Sequence, residues 1–269
     1  HLFDQGIFSS NKSAPAQVDA KALENLDTRE MAKGFQVSDS NPMVGLEGRV
    51  ELLRKLGSCL KGHPEVFKHP RPSALLDTLE ARAQGGTIRA GQILGLLLKG
   101  MAEMWPVRAR VSGIPFGDVW HHPLLGERGR FESLVPLHKL SQWLTYSLIE
   151  PIEEAGLKVT GLDEMTGLPE YRNGGLLLDL GLLELTDPTD AQRAHDPGSL
   201  LVIEWRALTV SFLDKIADRI RAKLKVSATE MPLVKILQGG TWSAGRRVAQ
   251  AKRADGGSPI QVVSDGTVF

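Results

Sequence analysis

The chain has 269 residues, 42% of them hydrophobic, enough apolar material to bury a large core within one domain. Its 32 basic and 32 acidic side chains balance, so there is no cationic excess to neutralise a phosphate backbone, and a long nucleic acid is excluded as the expected partner. No run approaches the ~18 apolar residues of a membrane span, no basic-then-apolar leader opens the chain, and the single cysteine, Cys59, cannot form an internal disulfide, which points to a reduced cytoplasmic setting and no membrane partner.

Taken in order, the pattern is that of a mostly α protein with minor short strands. The chain enters at His1 in mid-pattern, with Leu2, Phe3, Ile7 and Phe8 close together, which predicts further sequence upstream. Residues 19–33 and 44–60 carry apolar residues at three- and four-residue spacing, two amphipathic helices with Pro42 where the second could begin. Pro70 and Pro72 break the chain before a helix over Ser73–Ala83, and Ile88–Trp105 reads as another, ended by Pro106. From 107 to 136 the text turns to Gly, Pro, His and charge, a loop-rich insertion and the best candidate for a mobile surface segment, with one short strand at Val107–Val111.

Leu137, Leu140, Leu144 and Leu148 then repeat at helical spacing up to Pro151, while Lys139, Trp143 and Tyr146 form a different stripe of the same helix. After a turn at Gly161, Asp163 is placed to cap a short helical turn, and Pro169 suits the first position of a helix running toward Leu183. The longest predicted helix is Leu200–Leu224, with Leu201, Trp205, Leu208, Phe212, Ile216 and Ile220 as its buried side. The tail from Gly239 is Gly-rich, with a strand signal at Ile260–Val263.

Polar chemistry concentrates in three places. Asp163 through Gly175 gathers carboxylates, a phenol, a guanidinium and an amide; it is either a site edge, since helix starts present free N–H groups to anions, or a capped turn with a solvated face. Glu204-Trp205-Arg206 brackets a core aromatic with charge, either at a buried boundary or as a surface ion pair. Lys139, beside His138 and Gln142, opposes the helix dipole, which an anionic ligand or simple exposure explains equally well. No metal site is expected, because His121 and His122 are adjacent rather than at a facing spacing, and the Gly239-Gly240-Thr241-Trp242 word has neither phosphate-loop spacing.

The words Leu137-His138-Lys139-Leu140-Ser141-Gln142-Trp143-Leu144 and Thr166-Gly167-Leu168-Pro169-Glu170-Tyr171-Arg172-Asn173-Gly174-Gly175 resemble the uracil catabolism protein 4 family. The likeness extends from Phe8-Ser9-Ser10 through Gly34-Phe35-Gln36-Val37, Arg71-Pro72 and Gly239-Gly240-Thr241-Trp242 to the terminal Ser264–Phe269. It implies a single helical catalytic domain over 1–269 that lacks the family's amino-terminal portion, and possible association with other enzymes of uracil breakdown.

A fainter likeness is to the queuosine salvage proteins, which hydrolyse the N-glycosidic bond of queuosine 5'-phosphate. Their Lys-x-x-Gln falls on Lys139 and Gln142, Asp-x-x-Thr on Asp163 and Thr166, Asp-Tyr-Arg on Glu170-Tyr171-Arg172, and Glu-x-Arg on Glu204 and Arg206. The departures are Glu170 in place of Asp, and Asn173-Gly174-Gly175 where the base pocket is formed. This resemblance implies a DNA-glycosylase-like, helix-hairpin-helix-type architecture and a small ribosyl phosphate as ligand, with no cofactor. On that reading Glu170, seconded by Glu204 and Asp163, stabilises the cationic sugar and activates water, and the carboxylates of Glu170 and Glu204 face one pocket. Lys139 and Arg172 anchor the phosphate at one anion site, Trp143 and Tyr171 wall the leaving group, and Gln142, Asn173 and Arg206 complete the binding set. Cleavage of a ribosylurea-5-phosphate-like intermediate is the expected reaction. A ureido-amidohydrolase, a nucleotide hydrolase and a non-catalytic partner of the ring-opening enzyme remain as alternatives.

Overall fold

The computed structural model describes residues 1–106 and 108–263; Val107, where the expected strand starts, and the Ser264–Phe269 word lie outside them. The fold is mostly α. Ten helices, α1 Ala20–Glu24, α2 Thr28–Gly34, α3 Leu46–Gly62, α4 Ala74–Arg82, α5 Ala90–Met101, α6 Lys139–Glu154, α7 Tyr171–Asp179, α8 Leu200–Leu224, α9 Leu233–Ile236 and α10 Trp242–Lys252, are described. Eight short strands accompany them: β1 Thr87–Arg89, β2 Arg110–Val111, β3 Ile114–Pro115, β4 Val119–His121, β5 Leu134–Pro136, β6 Lys158–Thr160, β7 Ala194–His195 and β8 Gln261–Val262. They pair only two by two, β1 with β6 and β7 with β8 parallel, β2 with β3 and β4 with β5 antiparallel. The two parallel pairs tie remote segments together and the two antiparallel pairs are local hairpins, so no pair builds a layer.

The differences from the sequence reading have local causes. The span 19–33 is two helices, because the Asp27 carboxylate accepts the N–H groups of Arg29 and Glu30 and starts α2 afresh. Pro151 does not end α6 but lies inside its last turns. Asp163 sits within a 3-10 turn whose cap position is Gly161, and Pro169 precedes the α7 cap rather than opening the helix. The tail holds α10, which the Gly-rich text conceals. On α8 the buried side is Val202, Trp205, Arg206, Thr209, Leu213 and Ala217, with Leu208 exposed, so the predicted stripe is rotated.

The largest core joins α1 to α6 around Leu23, Phe67, Leu79, Ile93 and Leu97, all essentially inaccessible to water. A smaller core of Leu213, Ala217, Leu233, Ile236 and Leu237 seats α9 on α8, and a third joins Trp120, Leu137 and Ile203. Buried Trp120, Asp118 and Ser133 show that part of 107–136 is interior structure and not a surface segment. No helix of the described residues is long and apolar enough to cross a membrane.

Candidate functional site

Where α6, α7 and the α9–α10 corner meet, they enclose a cavity of about 560 Å³. Its polar groups are Lys139, Ser147, Glu170, Asn173 and Gln238, set among Trp143, Tyr146, Tyr171 and Trp242. The Lys139–Trp143–Ser147 stripe of α6 faces this space because its i, i+4 spacing keeps the three on one helix side. Opposite it, Leu237–Thr241 forms a π-helical turn that carries Gln238 into the wall and delivers Trp242 to the rim; such bulges recur at functional positions.

Glu170 is the N-cap of α7. Its carboxylate accepts the N–H of Asn173 at 2.7 Å and of Arg172 at 3.0 Å, which occupies two of roughly four lone-pair directions and leaves others toward the cavity. Burial raises its pKa above the ordinary glutamate value, against the pull of those two N–H groups and of the Lys139 and Arg172 cations. A carboxylate deprived of water in this way is a stronger base. Lys139 moves the other way, down to about 8, through burial and the nearby Arg206 cation, opposed by Asp118 and Glu170.

A buried ion pair fixes both groups. Arg206 donates to the two oxygens of Asp118 at 2.9 and 2.7 Å and to the Pro169 carbonyl at 3.2 Å. Asp118 also accepts from the Trp120 indole at 2.8 Å and from the backbone N–H of Lys139 at 3.0 Å. Although burial opposes it, the Arg206 guanidinium holds the Asp118 carboxyl below its usual range. One carboxylate thus pins the start of α6 and, through Arg206, the turn that leads into Glu170.

Of the residues expected to form the site, Lys139, Trp143, Glu170, Tyr171 and Asn173 do line one cavity. Glu204 does not: its half-exposed carboxylate bonds His122 Nε2 at 2.9 Å, and it lies two residues, roughly 200° around the helix, from the inward-facing Arg206. Asp163 is exposed on its 3-10 turn. Gln142 is buried and accepts the Thr166 N–H at 3.4 Å, a brace between α6 and the following turn. Arg206 is a positioning group spent on Asp118 and Pro169. The Arg172 guanidinium lies over the Tyr171 and Trp242 rings, 5.0 and 4.6 Å from their centroids, two rings that belong to the cavity wall.

Sequence reasoning missed Asp118, Gln238 and Trp242. Asp118 carries no motif, whereas Trp242, two residues after Gly239-Gly240, was an available signal of an aromatic beside unusual backbone. The adjacent histidines part company, His121 bonding Ser133 at 2.7 Å and His122 bonding Glu204, and no group of three potential metal ligands occurs among the described residues.

Comparison with known proteins adds a lineage. A family described as "Protein of unknown function (DUF1688)" matches residues 1–269. The chain is similar to "Uracil catabolism protein 4" of Lachancea kluyveri, 38% identical over 297 residues, covering 100% of the chain and 67% of the relative. It is likewise similar to "Protein urg3" of Schizosaccharomyces pombe, 39% identical over 277 residues, covering 99% of the chain and 65% of the relative. The chain thus spans about two thirds of the length of these relatives.

Proposed function

The chain belongs to the DUF1688 family and is a homologue of uracil catabolism protein 4; on that premise we propose that it acts in uracil breakdown as an N-glycosidase on a small ribosyl phosphate of the ribosylurea 5-phosphate type. The observation that carries this reading is Glu170, a carboxylate on a largely apolar cavity wall, clamped by two backbone N–H groups and accompanied by Lys139. Breaking a ribosyl C–N bond builds positive charge at C1', which a fixed carboxylate stabilises. Water adds to C1' and gives its proton to Glu170; the departing nitrogen takes the bonding pair and a proton from the Lys139 ammonium, which solvent then restores. Trp143 and Tyr171 supply flat walls for a planar ureide. The DNA-glycosylase-like architecture, the cytoplasmic setting and association with other enzymes of the pathway belong to the same proposal.

The test offers the purified chain ribosylurea 5-phosphate, uridine 5'-phosphate and free ureides, with chelator present because the scheme uses no metal. Release of ribose 5-phosphate is expected, with Glu170→Gln lowering the rate by about 10²–10⁴-fold while the fold persists. Ammonia without ribose 5-phosphate would make the protein an amidohydrolase, and absence of any turnover would favour a binding partner.

A further inference from the structure

Beside Trp242 the rim of the cavity holds an unusual concentration of positive charge. The Arg172 guanidinium lies 4.6 Å and the Arg246 guanidinium 5.0 Å from the same Trp242 ring centroid. Arg246 reaches that ring because it follows Trp242 by four residues on α10. Arg172 reaches it because α7 and α10 pack so closely that Gly245 faces the Arg172 carbonyl. Arg172 and Arg246 also flank the narrow crevice between these helices with Arg253, but Arg253 is matched by the Asp179 carboxylate at 2.7 and 2.6 Å. Neither the Arg172 nor the Arg246 guanidinium forms an ion pair or a hydrogen bond to a carboxylate among the described residues; Arg172 bonds Glu170 through its backbone N–H, and its cation acts on that carboxylate through space.

Two guanidiniums on one aromatic ring lie at most about 10 Å apart, and like charges at that spacing repel each other. An anion at the rim would remove the repulsion and engage planar donors suited to a phosphate. Trp242 belongs both to this rim and to the cavity wall, so a ligand with an anionic end here extends past the indole toward Glu170. We infer that Arg172 and Arg246, aligned on Trp242, form a phosphomonoester anchor at the cavity mouth, distinct from the Lys139–Glu170 end where the bond is cleaved. The assignment rests on the proposed ribosyl phosphate ligand; it separates the two cations expected to share one anion site and adds Arg246, an exposed residue that no motif marks.

The experiment is isothermal titration of the full chain with ribose 5-phosphate, inorganic phosphate and ribose. Ribose 5-phosphate is expected to bind more tightly than inorganic phosphate, and ribose not to bind over the same range. Arg246→Gln and Arg172→Gln should each weaken ribose 5-phosphate binding by about tenfold, with unchanged melting temperature for Arg246→Gln. Unaltered affinity in Arg246→Gln overturns the anchor, and equal affinity for inorganic phosphate overturns its assignment to a phosphomonoester. Because the readout is binding, failure of the glycosidase reading shows separately: phosphate binding intact in a chain that turns over no ribosyl phosphate leaves the anchor standing and removes the chemistry.

Discussion

At the scale of single residues, the cavity joins two groups whose pKa values are pushed toward each other. Glu170 is displaced upward by burial and Lys139 downward to about 8 by burial and Arg206. The proposed chemistry needs the carboxylate ionised and the ammonium protonated, so kcat/KM should rise with pH through a value above that of an ordinary glutamate and fall again near pH 8. Lys139→Met should abolish the alkaline limb together with most of the rate. The same displacement bears on stability. Because the folded pKa of Lys139 is depressed, its contribution is present above the unfolded value near 10.5 and lost as pH falls through about 8. At neutral pH the charged lysine therefore strains the fold, and Lys139→Met should raise stability at pH 7 by on the order of 1–3 kcal/mol. Chemical denaturation at pH 7 and pH 10 checks this: a variant no more stable than its parent at pH 7 contradicts the burial of that charge.

At the scale of elements, what the sequence revealed depended on how apolar each helix is. The bounds of α8 are legible because Ser199 caps it and a long periodic run follows, yet its buried face is not, since Arg206 and Thr209 enter the interior with partners that periodicity cannot register. α10 was hidden for the opposite reason. It buries only Gly245 and Ala249, and it packs on α7 through absent side chains rather than apolar ones. A Cβ at Gly245 would collide with the carbonyl oxygen and carbon of Arg172, backbone atoms that cannot step aside. Gly245→Ala is therefore expected to cost about 1–3 kcal/mol despite alanine's better helix propensity, and to loosen the rim by moving Trp242 and Arg246 away from Arg172. Gly239→Ala, with open space around its Cβ, is the control. Thermal melts of the pair decide the matter, and equal melting temperatures would mean that the helices do not touch as described.

At the scale of the whole molecule, the site is an assembly of remote segments held by one buried ion pair. Lys139, Trp143, Glu170, Tyr171 and Asn173 were legible because two local motifs contain them. Asp118 was not, because its importance arises only when the start of α6 and Arg206 of α8 converge on it and Arg206 in turn holds the turn before α7. Arg206 is 2% exposed, so neutralising Asp118 strips a buried cation of the carboxylate that holds both of its terminal nitrogens. Asp118→Asn keeps the shape and hydrogen-bonding capacity but deletes the charge, and should cost about 3–5 kcal/mol, a melting temperature lower by on the order of 10 °C in a chain of this length. The double variant Asp118→Leu with Arg206→Met separates stability from positioning. Replacing a buried pair by apolar groups of similar volume restores much of the stability. It cannot restore the acceptor for the Lys139 N–H or the donor for the Pro169 carbonyl, so turnover should stay low while the melting temperature recovers. A double variant that regains both would show that Lys139 and Glu170 are aligned by other contacts. An Asp118→Asn variant melting within about 2 °C of the parent, less than a kilocalorie by the same conversion, would show that the pair does not hold the fold together.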